Sequence, residues 1–219
     1  MVKYESLHAA LKDYIVEADV QKVEDLTDAI LDGHAIPSLG DLSFLKGCAL
    51  LGYLSLNKCD IRKLEAFPAG LKLERLEICD NKIHDGLDAL VSLENLEELH
   101  MGGNKIESLA QLQPLAKLSK LRILDLTECP VVEKQSDIAS KIFELVPHLE
   151  AFNGKDASGE SVDFEDGSDD LDDYSSEDDS DDNSNDSDDS NDDSEGSEDD
   201  EEDDDEVEGE KPSKSARRD

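Results

Sequence analysis

The sequence predicts an α/β solenoid in which a curved parallel sheet lines the concave face and the convex side is helical or irregular. A cap closes each end, and a disordered acidic tail follows. Three observations lead there: an eleven-position pattern that recurs four times, apolar helical periodicity on both sides of it, and an abrupt change of composition near residue 156. The pattern is L-x-x-L-x-L-x-x-(N/C)-x-L. Leu51, Leu54, Leu56, Cys59 and Ile61 fill it first, then Leu73, Leu76, Ile78, Asn81 and Ile83. Leu96, Leu99, Met101, Asn104 and Ile106 form the third copy, and Leu121, Leu124, Leu126, Cys129 and Val131 the fourth. Successive copies start 22, 23 and 25 residues apart, the period of leucine-rich repeats.

In the x-L-x-L-x core of each copy, the two leucines alternate with other residues, so a short strand turns both inward. The Asn or Cys sits where the chain leaves the strand and turns, where it can satisfy buried backbone groups. One repeat cannot bury its own leucines, so the copies must stack and their strands must form one parallel sheet.

Residues 1–22 are read as an N-terminal cap helix, helical over 3–19, with Leu7, Leu11, Ile15 and Ala18 recurring every three or four positions. This helix would cover the open first edge of the solenoid. Residues 23–135 hold about five repeats, the first a degenerate copy with Leu26, Ala29, Leu31, His34 and Ile36 in the five slots. Between repeats, Leu64, Phe67, Leu71, then Leu87, Leu90, Val91, then Leu109, Leu112, Leu115, Leu118 supply convex packing. Pro68, Gly70 and Pro114 favour short helical turns over long helices there. Residues 136–155 form the closing cap, a helix and final strand carrying Ile138, Ile142, Phe143, Leu145, Val146, Leu149 and Phe152.

Residues 156–219 are the tail. From Asp163 to Glu210 there are 29 Asp or Glu in 48 residues and no Lys or Arg. The last nine residues, with Lys211, Lys214, Arg217 and Arg218 against Asp219, add +3. Removing both contributions from the net −37 leaves −11 for residues 1–162. Few apolar anchors and one-sided charge cannot offset chain entropy, so the tail is expected to be disordered and extended. No apolar run approaches the roughly 18 residues of a membrane helix, and no apolar signal core opens the chain. The chain is therefore expected to be soluble, made inside the cell and not membrane-bound. The spacing of Cys48, Cys59, Cys79 and Cys129 contains no CxxC, which points to packed thiols over disulfides or zinc.

The segments LERLEICDNKIHDGLDAL, LEELHMGGNKIESLAQLQPLAKL and LRILDLTECPV, with KIFELVPHLEAFNG before the Asp/Glu tail, resemble the acidic leucine-rich nuclear phosphoprotein 32 family over essentially the whole chain. The family usually carries Leu-Asp-Gly where Phe152-Asn153-Gly154 stands here. The resemblance implies a nuclear, non-enzymatic protein that binds histones and chaperones or shields them. Some members inhibit histone acetylation or a serine/threonine phosphatase, and shuttling to the cytoplasm is also expected. A phosphatase inhibitor acting through the repeats, or a scaffold in a ribonucleoprotein, are the alternative readings.

The tail argues independently. Its carboxylates, Asp169, Asp170, Asp172, Asp173, Asp199, Asp200, Glu201, Glu202, Asp203, Asp204 and Asp205 among them, mimic the charge density of a nucleic-acid backbone. Core histones or other basic proteins are its natural partners, and direct DNA binding is disfavoured. The plain alternative is a solubilising charge run. Ser175, Ser176, Ser190 and Ser197 each have an acid three residues later, the acceptor context of an acidophilic kinase.

On the concave face, the strand residues that point away from the core should be Asp32, Tyr53, Ser55, Asn57, Arg75, Glu77, Glu98, His100, Asp125 and Thr127, with Asp28 and Ile30 beside them. They form the candidate partner-binding surface; the plain alternative is a solvated polar face. The row Ser55, Glu77, His100, Asp125 imitates a catalytic set. Ser55 and His100 are two strands apart, however, about 10 Å at a strand spacing of ~4.8 Å, and no enzymatic activity is expected. His100 should sit between the acids of its row. No cofactor, zinc spacing, EF-hand loop or phosphate-binding glycine loop is recognisable, and a monomer is expected.

Overall fold

The computed structural model describes residues 2–162. Six parallel strands lie side by side in chain order: β1 (Asp28–Ile30), β2 (Tyr53–Ser55), β3 (Arg75–Glu77), β4 (Glu98–His100), β5 (Ile123–Asp125) and β6 (Ala151–Phe152). The first five strands fall on the five repeats read from the sequence. The central leucine of each pattern copy is in register with the next: Ala29, Leu54, Leu76, Leu99 and Leu124 align across the sheet, followed by Phe152. All six are essentially buried, so this row is the spine of the core.

The turn after each strand is held by the slot residue. Asn81 accepts from the backbone N–H groups of Cys59 and Ile61 at 3.0 and 2.9 Å. It donates to the carbonyls of Leu56, Ile78 and Cys79 at 2.9, 3.0 and 3.1 Å. Asn104 accepts from Ile83 and donates to Ile78, Met101 and Gly102. Where Cys stands in the slot, Cys59 Sγ donates to the Leu31 carbonyl and Cys129 Sγ to that of Met101. His34 takes the first slot with Nδ1 3.0 Å from the Leu31 oxygen. The four thiols are free, and the slot geometry explains why two of them alternate with asparagine.

On the convex side the connections are short turns of 3-10 helix (Ser43–Gly47, Leu87–Leu90, Gln113–Lys117) and α2 (Leu109–Leu112), as the prolines and glycines predict. The N-terminal helix α1 spans Leu7–Glu17, shorter than the 3–19 expected. Ser6 starts it, accepting from the Ala9 N–H, and Asp19, at φ +52°, stops it in the left-handed region. Leu7, Ala10 and Leu11 are its buried side chains; Ala18, expected on that face, is exposed. Residues before the helix run extended instead, with Lys3 bridged to Ala35.

At the other end, α3 (Pro130–Lys134) and α4 (Ile138–Leu145) lead into β6, with Ile138, Ile142, Val146 and Leu149 buried over the last repeat. The cap does not end at 155. Lys155 pairs with Phe152 and with Ser161, and the Val162 N–H donates to the Gly154 carbonyl, so hydrogen-bonded structure runs to Val162. The acidic tail from Asp163 onward, with every carboxylate and serine singled out there, lies outside the described residues.

Candidate functional site

The outward face of the sheet carries three rows, in the expected register. Asp28, Tyr53, Arg75, Glu98 and Ile123 form one, and Ile30, Ser55, Glu77, His100 and Asp125 the next. Asp32, Asn57, Cys79, Gly102 and Thr127 follow two positions further along each strand. The x positions of a strict repeat must stack in this way, since each strand has the same phase.

Two parts of this surface differ in character. Toward β1 and β2, polar side chains brace one another. Ser55 Oγ donates to Asp32 at 2.6 Å, and Asn57 donates from its backbone N–H and its amide to the same carboxylate. The Asn57 amide also reaches Glu77 at 2.9 Å, while its Oδ1 accepts from the Cys79 N–H at 2.7 Å. Ser55 is fully buried beneath these partners. The sequence placed it on the accessible binding surface; it is an internal strut, because Asp32 leans across from the neighbouring turn.

Arg75 is the hub. Its guanidinium donates to Glu77 at 2.8–2.9 Å, lies 3.5 Å from Glu98, and its Cζ sits 5.4 Å from the centroid of the Tyr53 ring. Burial pushes the Glu77 carboxyl upward, but hydrogen bonds from Asn57 and Arg75, with the Arg75 charge, outweigh it and hold the group below its ordinary range. In register, His100 stands between the two acids of its row, Glu77 and Asp125. The carboxylate nearest its Nε2 is that of Glu98 on its own strand, at 3.6 Å, and this nitrogen makes no hydrogen bond.

Toward β4 and β5 the floor is open. Thr127 donates from N–H and hydroxyl to Asp125, and a cavity of about 210 Å³ is lined by Cys79, Asp80, Gly102, Gly103, Asp125, Thr127 and Glu128. The fit is close at its centre: a Cβ on Gly102 would lie 3.1 Å from the Asp125 carboxylate and the Thr127 carbonyl. One on Gly103, at φ +67°, would crowd the Asp80 backbone at 3.2 Å. The sequence reading did not single out this hollow; its signal was the Gly102-Gly103 pair inside an otherwise regular repeat.

The arrangement lacks the parts of a nucleophilic site among the described residues. Ser55 is spent on Asp32, and β3 separates it from His100. Burial pushes the Cys79 thiol up to about 12, with Asp125 and Glu77 adding to it, so the thiol stays protonated at neutral pH. No group of three His, Cys, Asp or Glu side chains among the described residues could hold a metal ion.

A family model described as leucine-rich repeat matches residues 51–156. The curated acidic leucine-rich nuclear phosphoprotein 32 family member A of Drosophila melanogaster is 32% identical over 154 residues, 70% of this chain and 58% of that protein. The chain is similar to members of that family. Its counterpart in Drosophila pseudoobscura pseudoobscura is 34% identical over 112 residues, 51% of this chain and 42% of that one. The chain thus spans about half the length of the curated family members it matches. Among solved structures, the Drosophila melanogaster SNF/U2A' complex contains a chain of the same fold. The TM-score is 0.56 at 21% identity, covering 72% of this chain and 86% of that one.

Proposed function

We propose that this chain is a nuclear, non-enzymatic binder of histones, a stoichiometric acidic chaperone or shield that acts in chromatin regulation. The observation that carries the reading is the run of 29 carboxylates without one base between Asp163 and Glu210. It is joined to a repeat domain whose relatives are named nuclear phosphoproteins. A polyanion of this density attracts strongly basic chains at long range and at low cost in shape. Phosphorylation at Ser175, Ser176, Ser190 or Ser197 would add about −1.5 to −2 charges each and strengthen the attraction. The repeat domain adds selectivity through its concave rows, where Arg75, Glu77 and Glu98 are held in place by their neighbours.

The test compares core-histone binding by the full chain and by residues 1–162, each at low and near-physiological salt. The cut falls at 162 because the hydrogen-bonded cap runs that far. Binding that is lost on truncation, and weakened by salt as screening shortens the Debye length to about 8 Å, is the expected result. Equal binding by the truncated chain would move the histone site to the repeat surface and overturn the role given to the tail.

A further inference from the structure

The sheet has one unfilled edge. β1 pairs with β2 alone, and no strand among the described residues lies on its other side. The N-terminal segment passes this place by: Tyr4 donates to the Ala35 carbonyl and Ala35 to that of Val2, beyond the end of β1. In a parallel ladder, alternate residues turn their N–H and C=O to opposite sides. The Thr27 carbonyl accepts from Tyr53 and the Leu31 N–H donates to Ser55, so the odd-numbered residues face β2. Asp28 and Ile30 therefore aim their backbone groups outward.

The side chains at this edge are specific. Ile30, 49% exposed, is the one strand residue among the exposed large hydrophobics of the described chain. It stands between Asp28 on the strand and Asp32 in the turn after it, whose exposed carboxylate also accepts from Ser55 and Asn57. The stretch from Val23 to Leu45 holds five carboxylates, Glu24, Asp25, Asp28, Asp32 and Asp41, and no Lys or Arg.

We propose that this edge accepts an added strand from a basic partner: an extended segment of the form basic-x-aliphatic-x-basic, main chain paired to Asp28 and Ile30. Its cations would face Asp28 and Asp32 and its aliphatic side chain would cover Ile30. A second copy of this chain fits poorly, because edge-to-edge pairing centred on Ile30 sets Asp28 of each copy against Asp32 of the other. The inference rests on the reading that the partners are basic, and it adds where and in what conformation one part of them docks.

The probe is a seven-residue peptide alternating threonine with lysine, valine and lysine. Its fully N-methylated counterpart keeps the charges and cannot pair. Amide hydrogen exchange is followed by NMR in the full chain. The unmethylated peptide should slow exchange of the Asp28 and Ile30 amides about tenfold, and the methylated one should leave them unchanged. Ile30→Lys, at an exposed position, should abolish the effect while the urea midpoint stays unchanged. Equal effects of both peptides, or silence at these two amides, would overturn the proposal and leave the histone reading standing. So would protection of the two amides without peptide in a chain that sediments as a dimer. Loss of histone binding by the unaltered full chain would instead remove the reading beneath it.

Discussion

Asn81 carries more of the fold than its size suggests. Its amide group serves two N–H donors and three carbonyls across two adjacent turns, all but the Cys79 carbonyl fully buried. Asn81→Ala leaves these groups unsatisfied and should destabilise the domain by about 2–3 kcal/mol in urea unfolding; a change below 0.5 kcal/mol would show that water replaces the side chain. Glu77 ties stability to pH. Its carboxyl is held below the ordinary range by its partners, so its stabilising contribution is complete above the unfolded-state value. That contribution is lost as pH falls through the lower folded value. Glu77→Gln should therefore flatten the acid side of the urea-midpoint profile relative to the unsubstituted chain, while the two profiles run parallel above neutral pH. Superimposable profiles throughout would remove Glu77 from the acid response.

Strands and caps follow different rules, and their legibility in the sequence differs accordingly. Each strand was readable to the residue because inward leucines fix its phase, and a slip of one would expose them all. Thus Ser55, Glu77, His100 and Asp125 fall in one row as the pattern requires. What the pattern could not convey is which outward residues are covered. The burial of Ser55 depends on Asp32, 23 positions earlier, and the 3.6 Å approach of Glu98 to His100 on side-chain placement within one strand. The ends were less readable still, since neither repeats. The start of α1 is set by Ser6 and the end of the closing cap by the bridge from Lys155 to Ser161, local choices without periodic support. The caps nevertheless protect the outermost leucines. Ile142→Ala on α4, a fully buried position, should cost about 3 kcal/mol, whereas Val16→Ala on α1, 79% exposed, should stay within about 0.5 kcal/mol. Calorimetry on the two variants would separate them; equal melting temperatures would mean that α4 does not close the core.

For the molecule as a whole, the contrast between its two parts is electrostatic. Residues 1–162 carry −11 and hold some of their charges in ion pairs, as with Arg75 between Glu77 and Glu98 and Arg122 between Glu97 and Glu150. The acidic run has no base with which to do so. The two charge regimes thus occupy separate stretches of one sequence. The sheet order gives this separation a second expression. Every strand meets only its sequence neighbours, and each repeat presents to the next the same leucines and the same turn-holding slot it received from the one before. A duplicated or deleted stretch of some 23 residues, the period of the pattern, would therefore find matching surfaces above and below it. The length of the sheet is therefore set in whole repeat units, and a unit added or removed would leave both caps as they are.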